Sequence, residues 1–437
     1  MYLPPHVRFC IDTLEAAGYP AYAVGGCVRD SLLGRTPHDY DLCTAATPAQ
    51  ICAIFSAFPL VKAGEKHGTI GVVLEGEVYE ITTFRTEGDY TDSRHPGWVA
   101  FVPEIEQDLA RRDFTVNAMA YSPTRGFADP FGGRADLKNG ILRAVGDAPL
   151  RFSEDALRIL RGVRFSVKYH LTAEQETLDA MFSLAHRLHN IAAERIFDEL
   201  CKLLPLVTAA DLITFSPILK QILPELGNTI GFQQHNAHHI YDIFTHTAHA
   251  VDKVNPSLTL RWAALLHDIG KVVTFTMGED GQGHFYGHAA KSEKMADDIL
   301  RRLKAPNALR QQVTQLIGLH MTLITPEPKV VRRWLGRLGA ETMDLLLQLQ
   351  EADMESTGTA QAADRNRIVL LRQIIAQVQA ENACLSLKDL AINGHDLMAQ
   401  GYTGRQIGTT LQNLLEQVID ETLPNEKTAL LDALKQP

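Results

Sequence analysis

The chain has 437 residues, 45% hydrophobic and 22% charged, with a formal net charge of −10 and a pI near 5.9. That length suggests about three domains, and the acidic balance excludes a protein that coats nucleic acid through bulk charge. No apolar run approaches the ~18 residues of a membrane span, the opening MYLPPHVRF lacks the parts of a signal peptide, and the six cysteines show no CxxC spacing, so reduced thiols and a cytoplasmic location are expected.

The first ~130 residues alternate helical and strand patterns. His6–Ala17 has helical spacing and stops at Gly18, and Ala21–Val24 reads as a strand broken by Gly25-Gly26 before a helix through Leu33. His38–Cys43 is predicted as a strand and Pro48–Phe58 as a helix. Ile70–Leu74 and Val78–Arg85 are β-rich runs joined by Glu75-Gly76-Glu77, a hairpin signal. Thr86–Pro96 is polar and predicts a mobile loop. From about Arg134 the periodicity is helical, apart from a strand at Ile141–Val145, with interruptions near 226–235, 277–288 and 355–364. A mixed α/β head followed by an all-α body is expected. With little bulk positive charge, nucleic-acid contact falls to local clusters: Arg111 and Arg112, the arginines at 158–164, Arg301–Lys304 and Arg332–Arg337.

Within the head, GGCVRDSLLGRTPHDYDL at 25–42 places a glycine pair before a helix and two aspartates, Asp39 and Asp41, two residues apart. On a strand those carboxylates share one face and repel unless a cation lies between them. Oxygen ligands suit Mg²⁺. Gly25 and Gly26 allow close backbone approach to a phosphate, and Arg29 lies in the first turn of the following helix. Taken singly, each fragment also reads as a tight turn or a surface strand end. Their ordered combination resembles the polymerase beta-like nucleotidyltransferase superfamily, which implies two-metal nucleotidyl transfer on Asp39 and Asp41.

RRDFTVNAMAY at 111–121, which is followed by DPFGG at 129–133, reads unaided as a capped helix with one amphipathic face. It resembles a motif of the class II tRNA nucleotidyltransferases and their poly(A) polymerase relatives. The resemblance implies that Arg112 contacts nucleotide phosphates and that Asp113 and Asn117 lie beside the ribose.

RFSEDALRILRGVRF at 151–165 has the spacing of one amphipathic helix. Glu154, Asp155 and Arg158 can form ordinary i,i+3 and i,i+4 ion pairs on its surface. A carboxylate and a guanidinium can also read a base: cytosine and adenine both offer an amino group beside an unprotonated ring nitrogen, whereas uracil and guanine offer a carbonyl and a ring N–H. The EDxxR pattern resembles the family's template motif, which implies base reading by Asp155 and Arg158, with Arg161 and Arg164 holding the nucleotide. AERIFDEL at 193–200 resembles a helix-nucleating element beneath that site.

GEKHGTIGVV at 64–73 is similar to the CCA-adding type, and GDYTDSRHPGWVAFV at 88–102 to the loop that adenosine-adding members retain. AINGHDLMAQGYTGRQIG at 391–408 and LPNEK at 423–427 resemble the end of the family's tRNA-contacting region. The implied partners are the tRNA 3′ end, CTP and ATP. A poly(A) or A-only polymerase of the same family remains an alternative.

His267-Asp268 in AALLHDIGKVV, His246 before it and Asp353 after it resemble the HD phosphohydrolase superfamily. That resemblance implies metal ligation by His246, His267, Asp268 and Asp353, with His288 and His320 as a second position. Mixed ligands suit Mn²⁺, Ni²⁺, Fe or Zn²⁺. His235, His238, His239 and His249 read as surface histidines. An HD phosphohydrolase whose head senses nucleotide is a further alternative. The expected parts are a catalytic head at 1–135, a base-recognising neck at 136–225, an HD body at 226–370 and a tRNA-contacting tail at 371–437.

Overall fold

The four residues Ala21–Val24 are all buried and form β1, an interior strand of a seven-stranded mixed sheet. A computed structural model describes residues 1–88, 99–236, 239–358, 362–381 and 383–434. The chain forms two compact units, Met1–Val207 with Thr214–Gly227, and Thr208–Ile213 with Asn228–Pro437.

In the first unit, α1 (Pro5–Ala16) buries Val7, Cys10, Ile11 and Leu14, the i, i+3, i+4, i+7 face expected of it. β1 leads through Gly25 into α2 (Gly26–Leu32). β2 (Leu42–Thr44), α3 (Pro48–Ile54), β3 (Leu60–Val61), β4 (Thr69–Leu74) and β5 (Glu77–Thr83) follow. Glu75 and Gly76 both sit at positive φ, as the twist of a two-residue hairpin demands, so the predicted β4–β5 turn is found. β6 (Arg85–Glu87) pairs with β7 (Val99–Phe101); residues 89–98, most of the predicted loop, lie outside the described residues. After α4 (Ile105–Ala110), β8 (Ala120–Ser122) and β9 (Gly126–Ala128) complete the sheet in the order β3-β4-β5-β2-β1-β8-β9. Tyr22, Val24, Cys43 and Phe84 pack with Ile105 and Leu109 of α4.

Five predicted spans need correction, the first three of them strand or helix ends. The strand expected at His38–Cys43 begins only at Leu42. The Asp41 carbonyl still accepts from Val24 N–H (3.0 Å), but Asp39 and Asp41 themselves precede the strand. The helix expected to reach Phe58 stops at Ile54, ahead of Pro59, whose ring disfavours helix in the residue before it. The Ile141–Val145 strand contracts to β10 (Ile141–Leu142), paired with β11 (Thr172–Ala173).

Helices α5 (Gly133–Asn139), α6 (Ala148–Glu154), α7 (Leu157–Tyr169), α8 (Gln175–Leu184) and α9 (Ala193–Leu203) complete the part of this unit that positions the site. The stretch 151–165 is two helices, not the one expected. Asp155 lies between them at φ −142°, ψ 101°, and its Oδ1 accepts from Leu157 N–H (3.0 Å), so the side chain competes with the helical backbone and starts α7. Residues 111–121 are likewise not a helix. Thr115–Asn117 make one 3₁₀ turn before β8.

Among its described residues the second unit is helical apart from one antiparallel pair, Thr276–Met277 with Gly283–His284, which fills the interruption expected near 277–288. The helices Ile243–Lys253, Leu258–Leu266, Asn307–Leu319 and Ala340–Ser356 pack on one another, and Trp262 is fully buried. Gly394–Ala399 and Arg405–Ile419 enclose a second core around Leu397, Leu414, Leu415 and Leu430. Among the described residues, no helix is long and apolar enough to cross a membrane.

Candidate active site and candidate metal centre

In the first unit, a cavity of about 490 Å³ gathers Gly25, Gly26, Arg29, Asp41, Arg112, Asp113, Asn117, Asp155, Arg158, Arg161 and Arg164. These are all the head and neck residues singled out above except Asp39. Arg111, Lys168 and Arg195 join them, so eight basic side chains face three carboxylates. The wall is built for an anion.

Gly25 sits at φ +75°, and a Cβ there would lie 2.8 Å from Arg112 Nη1. Both facts demand glycine. Arg29 is buried and already committed: it donates to Asn117 Oδ1, to Tyr169 Oη (2.5 Å) and to Asp30 (2.9 Å), and stacks on the Tyr169 ring at 4.2 Å. It therefore fixes Asn117 and is not a free anion hook. Arg112 pairs loosely with Asp108 (3.4 Å), and its buried Nε has no hydrogen-bond partner among the described residues. Burial would raise the Asp108 carboxyl, but Arg111 and Arg112 hold it below the usual range.

Asp113 accepts from Phe114 N–H (2.8 Å), Asn117 Nδ2 (3.0 Å) and Arg161 Nε (2.8 Å). Burial would raise its carboxyl, yet Arg161 and those donors bring it down to about 2. Arg164 donates to buried Glu199 (2.6 Å) from α9. Phe114, fully buried, packs against Phe152 of α6 and edge-on to Phe165 of α7, with centroids 6.3 and 5.8 Å away. Gly162 makes room, since a Cβ there would meet Phe114 and Met181 at 3.0–3.1 Å. This apolar joint ties the 112–117 segment to the arginine-bearing helix.

The expected Asp155–Arg158 contact is absent. Asp155 is gripped by Arg195 of α9 (2.7 and 3.3 Å), and Arg158 donates to Glu154 (2.6 Å) and to the carbonyls of Arg151 (3.2 Å) and Arg111 (3.0 Å). Each keeps capacity to spare. One acceptor position remains on Asp155 Oδ2, and N–H groups remain on Arg158 Nε and Nη2. Asp108 and Arg195 were missed from sequence. Asp108 precedes Arg111 and Arg112 by three and four residues, a helix-surface spacing that could have exposed it; Arg195, forty residues from Asp155, has no local signal.

Asp39 and Asp41 are exposed, and only Asp41 lines the cavity. Crowding by protein atoms raises the Asp41 carboxyl, Arg112 opposes that, and the Asp39 charge adds to it. A cation between two neighbouring carboxylates relieves the repulsion, so the pair fits Mg²⁺.

In the second unit, donor atoms of His246, His267, Asp268 and Asp353 lie within 4.8 Å of one another, and those of Asp268, His288 and His320 form a second group that shares Asp268. The ring Nδ1 of His267, His288 and His320 each faces the backbone carbonyl three residues back, Ala264 (2.8 Å), Phe285 (2.8 Å) and Ile317 (2.6 Å). Donation from Nδ1 sets the tautomer that leaves Nε2 as the inward donor, the usual support for a metal-bound imidazole. Nε2 of His288 and His320 then face each other at 3.3 Å, two lone pairs needing a cation. Burial lowers His267, but Asp268 and Asp353 outweigh it and raise the ring to about 10; burial lowers His320 to about 4. The donor set fits a transition metal. His239, expected on the surface, instead lines the adjoining cavity, where burial and the charge of Lys271 push it down to about 3. His235 is exposed, His249 is half-buried, and His238 lies outside the described residues.

Three family profiles match the chain: a poly A polymerase head domain at 21–143, a probable RNA and SrmB-binding site of polymerase A at 170–228, and a tRNA nucleotidyltransferase domain 2 at 284–434. The CCA-adding enzyme of Levilactobacillus brevis is 36% identical over 98% of this chain and 96% of its own. That of Streptococcus thermophilus is 33% identical over 100% and 99%. The crystal structure of the Bacillus stearothermophilus CCA-adding enzyme with CTP superposes with a TM-score of 0.71 at 28% identity, covering 99% of this chain and 98% of that one. A mixed-sheet nucleotidyltransferase head followed by helical regions is their shared fold. The chain belongs to the CCA-adding family of tRNA nucleotidyltransferases.

Proposed function

We propose that the chain adds C, C and A in turn to the 3′ end of tRNA from CTP and ATP, releasing pyrophosphate. The observation that carries this is the basic cavity around Asp155 and Arg158, in a chain 36% identical over 98% of its length to an enzyme named for that addition. Asp39 and Asp41 hold Mg²⁺, which supplies polarisation of the phosphate and activation of the attacking hydroxyl. The 3′-oxygen bonds to the α-phosphorus as the bond to pyrophosphate breaks. Arg112 steadies the phosphates through the close approach that Gly25 allows. Asp113 and Asn117, aligned by Arg161 and Arg29, bind the ribose side, and Arg164 ties α7 to Glu199 of α9.

Base choice falls to Asp155 and Arg158. The free Oδ2 position accepts from the exocyclic amino group, and Arg158 donates to the ring nitrogen. Uracil or guanine would leave acceptor against acceptor and donor against donor, a strong penalty in a desolvated site. Labelled tRNA ending at the discriminator base, given CTP, ATP or both, tests the function. C, C and A additions support it; A alone, or a long A tail, would assign the chain to the polymerase alternative.

A second activity is favoured by the paired donor groups that share Asp268. We read 226–370 as an HD-type metal phosphohydrolase and 371–437 as a tRNA-contacting tail, after a head at 1–135 and a neck at 136–225. His246, His267, Asp268 and Asp353 hold one ion and His288 and His320 complete a second position; Mn²⁺, Ni²⁺, Fe and Zn²⁺ all suit these ligands. Elemental analysis of the purified protein should find a transition metal that His267→Ala loses. Equal metal in both would remove this reading. A tRNA end and nucleoside triphosphates as substrates suit a cytoplasmic protein.

A further inference from the structure

Beside the paired donor groups of the second unit lies a cavity of about 640 Å³. His288, His320 and Asp353 form part of its wall, and Phe285, Tyr286 and Leu323 give it an apolar side. Two cations also line it. Lys271 is committed, with Nζ 2.7 Å from Asp268 and 2.9 Å from Gln234 Oε1. Arg367 is not: its Nε and Nη1 are shielded from water and have no hydrogen-bond partner among the described residues. Asp364, one turn earlier on the same wall, is exposed.

Shielded guanidinium N–H groups without an acceptor are costly. A planar fork of donors matches two oxygens of one phosphate or carboxylate. Metal donors on the same wall favour phosphate, since ions and guanidinium then share the charge of one phosphoryl group. The aromatic side adds room for an organic body: Tyr286 is 77% exposed and stacks on His284 at 5.3 Å, leaving ring surface uncovered.

We propose that Arg367 is the anion-binding residue of this cavity and that its ligand is a phosphate ester whose organic part packs on the aromatic side. This rests on the reading of the second unit as a metal centre. Arg367 would hold the phosphoryl oxygens and so keep the ester in the cavity whose wall carries the metal donors.

Cobalt(II) bound through imidazole gives a visible band that oxygen-only sites scarcely contribute to, so the full-length Co²⁺-loaded chain reports on this cavity alone. Titrating inorganic phosphate should shift the band, and Arg367→Gln should raise the half-saturating concentration at least about tenfold. Arg367→Lys, which keeps charge but loses the fork, should fall between. The same half-saturation in Arg367→Gln and wild type, or a band that phosphate does not move, would overturn the assignment. AMP should saturate at lower concentration than inorganic phosphate; equal values would overturn the ester half. No imidazole-type band at all would instead sink the metal-centre reading beneath it.

Discussion

Asp155 is held by a residue forty positions away, and that grip decides what its carboxylate can do. With Arg195 occupying one edge, the remaining acceptor position points a single way, which is the geometry that the proposed base reading requires. Replacing Asp155 with alanine should narrow the preference for CTP over UTP more than it weakens triphosphate binding, as measured by kcat/KM for each. An unchanged preference would remove base reading by this pair. Arg195→Ala should produce the same loss in weaker form, because the carboxylate remains but swings free. Gly25→Ala should lower kcat at least about tenfold with the fold retained: it combines about 1 kcal/mol of backbone strain with a clash against Arg112. Normal turnover in that variant would show that Arg112 can be displaced without consequence.

The break between α6 and α7 matters more than either helix. Apolar spacing across 151–165 is continuous, so nothing in the periodicity announces a stop; a single side chain bonding the backbone two residues on produces it. Elements whose signals are local were legible: α1 by its apolar face, the β4–β5 turn by its glycine, the glycine pair before α2. The 3₁₀ turn at Thr115–Asn117 was not, because its shape is set by Phe114 packing against two later helices. Phe114→Ala should cost about 3–5 kcal/mol in urea unfolding; under ~1 kcal/mol would mean the joint is not a packing element. Asp113 makes the same connection by charge. Its folded pKa lies near 2 against an unfolded value of 3.8, so its contribution, on the order of 1–2 kcal/mol, is complete above the unfolded value and vanishes as pH falls through the folded one. The stability gap between wild type and Asp113→Asn should therefore be flat from pH 7 to 5 and narrow below about pH 4. A gap that widens on acidification would contradict the sign.

At the scale of the molecule, the charge of −10 conceals a strongly basic cavity in the first unit. Not every basic cluster in the sequence serves that end. Arg332 pairs with Glu381 (3.2 Å) and Glu421 (2.6 Å), and Arg333 with Asp420 (2.6 Å), so these two are spent on holding the tail. The residues that converge on the cavity were legible through motifs that resemble a known family, which supplied roles that spacing alone did not; the partners that orient them were not, because tertiary structure supplies those. Likewise the pattern of His246, His267-Asp268 and Asp353 singled out a donor cluster that the fold does assemble, while His239 passed for a surface residue although it lines the adjoining cavity. If the centre binds a transition metal, chelation should lower the thermal midpoint, and His267→Ala should abolish that dependence. A midpoint indifferent to chelator in the wild type would contradict it. The most direct test of the whole is extension of a labelled tRNA that ends at its discriminator base. With CTP and ATP together the product should grow by C, C and A and stop, and with CTP alone by C and C. Growth by A alone, an open-ended A tail or no growth at all would contradict the account.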